Sequence, residues 1–161
     1  MARSSKRKNS RWLILSVMLI AILITACTQK TVYHHYQHIS AEGWERQDVV
    51  DFQIAPIKTS GNYQEEIGVR MQQNFPFTSM SVLVQQTIYP SMEYHYDTLE
   101  CHFMDQQGRI MGNGISYYQY DFPLKTIALK EGDSLAVSIY HIMKRETLPG
   151  ITDVGLKLVA E

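Results

Sequence analysis

From Val49 onward apolar side chains recur at nearly every second position, and this period of two limits the available folds more than any other feature. Val50, Phe52 and Ile54 alternate with Asp51 and Gln53 until Pro56 stops the run. Neighbouring side chains on a strand point to opposite faces, so such a pattern buries one face and wets the other. Ile67, Val69 and Met71 alternate with Gly68 and Arg70; Tyr63, Ile67 and Met71 also fit a short helix, and the strand is preferred. Met80 to Tyr89 is apolar at its start and alternating later, which suits a central strand ending at Pro90. Tyr96 to Met104 follows and closes on Asp105 to Gly108, with glycine where a turn needs positive φ. Ile115 to Phe122 is strongly aromatic, Ile127 to Leu129 leads into a turn at Lys130 to Asp133, and Leu135, Val137 and Ile139 alternate through Tyr140. Val154, Leu156 and Leu158 form the last strand. About eight strands without an amphipathic helix predict an all-β chain, folded as an antiparallel β-sandwich of immunoglobulin-like or jelly-roll-like type. A closed barrel is the alternative, since it too removes exposed strand edges.

The segment ahead of this domain follows different rules. Arg3, Lys6, Arg7, Lys8 and Arg11 precede an apolar run from Trp12 to Ala26. That run is about 15 residues, short of the roughly 20 that a spanning helix needs. Its length and basic flank suit a secretory signal. It closes on Ile24-Thr25-Ala26-Cys27, which resembles the lipobox of bacterial lipoproteins, where the cysteine thiol is diacylated and the signal is cut before it. Residues 1–26 are therefore expected to be a lipoprotein signal peptide, 27–45 a lipidated Cys27 with its tether, and 46–161 a single β-sandwich domain. Thr28, not aspartate, follows Cys27, and no acidic run comes after it. These features favour the outer membrane of the cell envelope, facing the periplasm. The membrane is reached through the lipid, each buried CH₂ contributing about 0.8 kcal/mol.

Charge narrows the partners. Without residues 1–26, ten Lys and Arg face all sixteen Asp and Glu, a net charge near −6 with histidines neutral. Nucleic acid and anionic lipid surfaces both call for a basic footprint, so neither a nucleic-acid partner nor an anionic-lipid surface is expected. Cys101 is the one thiol left beside Cys27 and lies in an alternating run with Leu99 and Phe103, which predicts a buried structural thiol.

No constellation of residues marks out a chemistry. His34 and His38, within Tyr33 to His38, resemble a metal tract, but a zinc site needs three or four ligands on a rigid frame. Aromatic packing of the incoming chain is the simpler reading. The aspartates are scattered, no spacing marks a general acid–base pair, and there is neither a nucleophile elbow nor a phosphate loop. Gly112-Asn113-Gly114 reads as a turn or bulge. No catalytic residue, cofactor, metal or small-molecule substrate is expected.

Two stretches exceed what strands require. Tyr117, Tyr118, Tyr120 and Phe122 cannot all point inward; Tyr118, Tyr120 and Phe122 are expected on different faces in part, with at least one or two aromatics exposed. His141 to Gly155 interrupts the alternation with Lys144, Arg145 and Glu146 and a rigid Leu148-Pro149-Gly150 turn. Exposed tyrosine beside a charged loop suits a protein partner. Tyr117, Tyr118, Lys144, Arg145 and Glu146 are thus the candidate docking surface. A solvated loop with core aromatics is the plain alternative.

These residues also carry a resemblance. Gly43-Trp44 with Asp48, Tyr63 to Arg70, Phe75-Pro76-Phe77, Gln86 to Pro90, Asp97 to Leu99, Gly114 to Tyr120, Gly132 to Ser134 and Met143 to Gly155, in that order after a lipobox, resemble the gliding-motility-associated lipoprotein family GldH of Bacteroidota. The resemblance implies a small non-enzymatic lipoprotein, an accessory or assembly factor for gliding and type IX secretion machinery, docked on an envelope protein complex. Only Cys27 transfers from it as a functional residue. A glycan-binding β-sandwich is the second reading, because exposed tyrosines stack on sugar faces.

Overall fold

The computed structural model describes residues 30–161; Cys27 and the signal segment lie outside them. Among the described residues all regular structure is β. The chain is an antiparallel sandwich whose pairing is nested. β5 (Ser79–Tyr89) pairs with β6 (Glu93–His102), β4 (Gly61–Gln72) with β7 (Tyr117–Leu129), β3 (Val50–Ile54) with β8 (Ser134–His141), and β1 (Lys30–His38) with β10 (Ile151–Ala160). The chain is thus a long folded hairpin centred on the β5–β6 turn. Rolling that hairpin so that β10 meets β4 and β8 meets β5 gives two sheets, β1-β10-β4-β7 and β3-β8-β5-β6. This is the strand arrangement of a jelly roll. A short ribbon, β2 (Trp44–Glu45) with β9 (Thr147–Leu148), supplements the two sheets.

The alternating positions face inward as the period of two requires. β3 and β8 each bury every second residue, bringing Val50, Phe52 and Ile54 together with Leu135, Val137 and Ile139. Opposite them lie Ile67, Val69, Leu156 and Leu158 of the other sheet. Each such side chain contributes roughly 1.5–3 kcal/mol by leaving water. Phe103 lies among rings, with centroids 5.3 Å from Phe75, 5.0 Å from Tyr120 and 5.9 Å from Phe122. Trp44 is fully buried, donates Nε1–H to the Asp48 carbonyl at 2.9 Å, and meets His141 edge-on at 5.3 Å.

Four local readings change. Residues 30–38, assigned to the tether, form edge strand β1, and Trp44–Glu45 is paired too, so the folded part begins well ahead of residue 46. The two segments Ile115–Phe122 and Ile127–Leu129 are one strand, β7. Pro123 does not break it, because β7 is an edge strand with a bulge opposite Gln64–Glu66. β6 starts at Glu93, not Tyr96. There Glu93, His95 and Asp97 lie opposite the inward residues Ile88, Gln86 and Val84, while Tyr94 and Tyr96 are exposed, which inverts the usual polarity. Finally, Tyr118, Tyr120 and Phe122 share one face, since steps of two on a strand return to the same side; they pair with Met71, Val69 and Ile67.

Candidate functional site

The outer face of the β1-β10-β4-β7 sheet carries a polar network whose members come from four strands. Register sets one row as Tyr36, Gly155, Gly68 and Asp121, and the next as His38, Asp153, Arg70 and Gln119. The two glycines leave bare backbone, and the Tyr36 ring lies over it. A Cβ at Gly68 would come within 2.3 Å of Tyr36 Oη, and one at Gly155 within 2.6 Å of the ring. Spanning the glycine strands lets Tyr36 donate its hydroxyl to Asp121 Oδ1 at 3.2 Å. The guanidinium of Arg70 covers the ring, its central carbon 3.8 Å from the centroid, a cation–π arrangement that favours arginine over lysine. Arg70 Nε–H donates to Gln119 Oε1 at 3.1 Å, and Gln119 Nε2–H donates to Asp121 Oδ2 at 3.3 Å, closing the circuit. Burial first and the neighbouring Asp121 second push the Tyr36 phenol up to about 12, so it stays a neutral donor.

Beside this network a cleft of about 470 Å³ opens, lined by Arg70, Asn74, Tyr117, Pro149, Thr152 and Asp153 among others. The Pro149-Gly150 turn bounds it. Gly150 has φ +84 and accepts the Gln72 amide through its carbonyl at 2.8 Å, and a Cβ there would lie 2.8 Å from Asn74 Oδ1. The cleft offers an arginine, an exposed tyrosine and amide groups. His38, which faces Asp153, and the hydroxyls of Ser40 and Thr152 line it too, and among the described residues neither hydroxyl is hydrogen-bonded to His38.

The sequence-predicted residues divide accordingly. Tyr117 is 58% exposed and lines the cleft with the Leu148-Pro149-Gly150 turn, although Leu148 itself is fully buried. Tyr118 is on the opposite face of β7, packed against the core. Lys144, Arg145 and Glu146 are exposed but lie outside the cleft, next to Arg46. Arg46 pairs with Glu146 at 3.5 Å, its amide donates to the Glu146 carbonyl at 2.8 Å, and its guanidinium reaches the Lys144 carbonyl. His34 and His38 share the outer face, but four residues of extended strand separate them by about 13 Å. His38 faces Asp153 at 3.4 Å and His34 lies against Tyr36, ring to ring at 5.4 Å. Among the described residues no three His, Cys, Asp or Glu gather as a metal site. Tyr36, Arg70, Gln119 and Asp121 were missed by sequence reasoning. The available signal was Gly68 and Gly155, glycines inside otherwise good strands, which mark a close approach.

Comparison with known proteins agrees with the sequence. The pattern described as GldH lipoprotein matches residues 31–158. The gliding motility lipoprotein GldH of Flavobacterium johnsoniae is 29% identical over 152 residues, covering 88% of this chain and 92% of that protein. Among solved structures, a family GH115 4-O-methyl-alpha-glucuronidase with specificity for decorated arabinogalactans aligns over 84% of this chain and 18% of its own, at 14% identity and TM-score 0.43. A family 35 carbohydrate binding module from Clostridium thermocellum aligns over 83% of this chain and 91% of its own, at 9% identity and TM-score 0.41. Scores this low do not bear on what the chain binds.

Proposed function

The chain belongs to the GldH lipoprotein family, and from that premise we propose that it is a non-enzymatic docking subunit, anchored by an acylated Cys27 and holding a partner in the Arg70–Tyr117 cleft. The carrying observation is that β4, β7 and the turn before β10, which bear the family-like motifs, converge on this one cleft beside a hydrogen-bonded stack. Aromatic and arginine side chains at a preorganised surface are the usual anchors of protein interfaces. The partner in this reading is an envelope protein complex of the gliding and type IX secretion machinery; the name of the Flavobacterium relative supports the gliding part. Thr28 after Cys27 and the lack of an acidic run support an outer-membrane position facing the periplasm.

The test is affinity purification of the full chain from detergent-solubilised membranes, comparing wild type with Tyr117→Ala and Arg70→Lys. An envelope protein recovered with wild type and depleted in both variants is the expected result. Equal recovery with all three would sink the cleft as the docking site. A glycan reading draws on Tyr94 and Tyr96, 56% and 64% exposed on one face of β6. Cell-wall binding lost on Tyr96→Ala, with no protein captured, would favour it.

A further inference from the structure

The two sheets are open to one another along one edge. Gln37 of β1 reaches across to the Asp51 carbonyl of β3, so the β1–β3 side is tied there. Toward the start of β1 the register shifts between Thr31 and Tyr33, with Val32 left over as the bulged residue. In that region lies a slot of about 470 Å³ lined by Val32, Tyr33, Ile54, Pro56, Tyr63 and Ala160 among others. Ile54 and Tyr63 are buried core residues, so the slot reaches the edge of the core. Its volume falls within the roughly 300–1,000 Å³ of small-molecule sites. Its walls are mainly apolar, and Lys30 and Lys58 also line it. Glu161 lines it as well, but its carboxylate accepts from Thr126 Oγ1 at 3.1 Å.

Position decides the occupant. Lys30 is already paired in the sheet, opposite Ala160, and only Thr28 and Gln29 separate it from Cys27. Three residues of chain span at most about 10 Å. Whatever Cys27 carries is therefore held within about 10 Å of a slot-lining residue. We infer that the slot takes one acyl chain of the chain's own Cys27 lipid, which sets this end of the sandwich against the bilayer. Moving a hydrocarbon chain from lipid to an apolar slot exchanges one dry environment for another, whereas leaving it in water is unfavourable. This rests on the acylated Cys27 of the proposed function.

Gly61 gives a clean perturbation. It lines the slot, a Cβ there meets nothing within 4 Å, and its φ is outside the left-handed region. The experiment grows cells with a diazirine-bearing fatty acid, purifies the full chain, and reads the Cys27 modification by intact mass. After irradiation, the expected cross-links join the Cys27 lipid to residues 31–33 and 54–63, and fall at least five-fold in Gly61→Phe. Thermal unfolding of that variant at the wild-type temperature confirms an intact fold. An acylated Cys27 cross-linked only to bulk phospholipid, or a slot labelled only by free phospholipid, overturns the slot assignment while leaving the anchor. An unmodified Cys27 overturns the anchor and the slot together.

Discussion

The ring of Tyr36 rests on the backbone of Gly68, so close that a single Cβ there would sit 2.3 Å from the Tyr36 hydroxyl oxygen. Gly68→Ala must therefore lift the ring, breaking its hydrogen bond to Asp121 and its stack under Arg70. Overpacking of this kind costs about 1–3 kcal/mol. Urea unfolding is expected to show that loss, with Tyr36→Ala/Gly68→Ala losing less than the sum of the single changes. Strict additivity would mean that the ring and the glycine are independent.

The second prediction concerns Glu65, which is fully buried and accepts Gln86 Nε2–H at 3.0 Å. Glu65 Oε1 and Gln86 Oε1 have no partner. Burial pushes the Glu65 carboxyl up to about 7; the Gln86 hydrogen bond and Lys125 oppose this, and Asp97 adds to it. A carboxyl raised in the folded state binds its proton more tightly there than when unfolded. Its contribution is complete below the ordinary value of 4.5 and is lost as pH rises through about 7. Wild type is expected to lose roughly 3 kcal/mol relative to Glu65→Gln between pH 4.5 and pH 8, read from paired unfolding curves.

Cys101 gives a third. It is fully buried, and burial foremost, with Glu100 adding, raises its thiol to about 12. The thiolate is the reactive form. A thiol reagent at pH 8 should leave Cys101 unlabelled in the native protein and label it at the rate of unfolding. Rapid native labelling would place the thiol at the surface instead.

A fourth separates the two surfaces that sequence alone merges. Tyr117→Ala, on an exposed cleft wall, should shift stability by no more than about 0.5 kcal/mol and still deplete the captured partner several-fold. Arg145→Ala, in the loop near Arg46, should leave capture at the wild-type level. Reversed results would move the docking site to the Lys144–Glu146 loop.

Much of the fold was legible because strand alternation is local. Val50-Asp51-Phe52-Gln53-Ile54 announces its buried face in five letters, and the turns at Asp105–Gly108 and Lys130–Asp133 appear where glycine sits, with φ +76 at Gly108 and +91 at Gly132. β1 was not legible. Its residues are mostly polar or half-exposed, as an edge strand allows, and nothing local reveals that Lys30 lies opposite Ala160. The inward polar face of β6 misled for a related reason. Asp97 is held there by Lys125 at 2.6 Å, a partner brought in by the β7 bulge.

By itself the sequence determined the strand-forming character of the chain, the buried faces of its central strands and, through its ordered motifs, its family. Those properties depend on neighbours in the chain or on the order of segments along it. Tertiary structure alone decided that Tyr36, Gly68, Asp121 and Gly155 form one row, that Arg70 caps it, and that Tyr117 lines one cleft with the Pro149-Gly150 turn. The register pairs along that row join strands from opposite arms of the rolled hairpin, whereas Arg70 over Tyr36 and Tyr117 beside the Pro149-Gly150 turn bring together strands of one arm that the rolling makes neighbours. Their meeting is set by the nested pairing of whole strands, a long-range property that no short stretch of residues encodes.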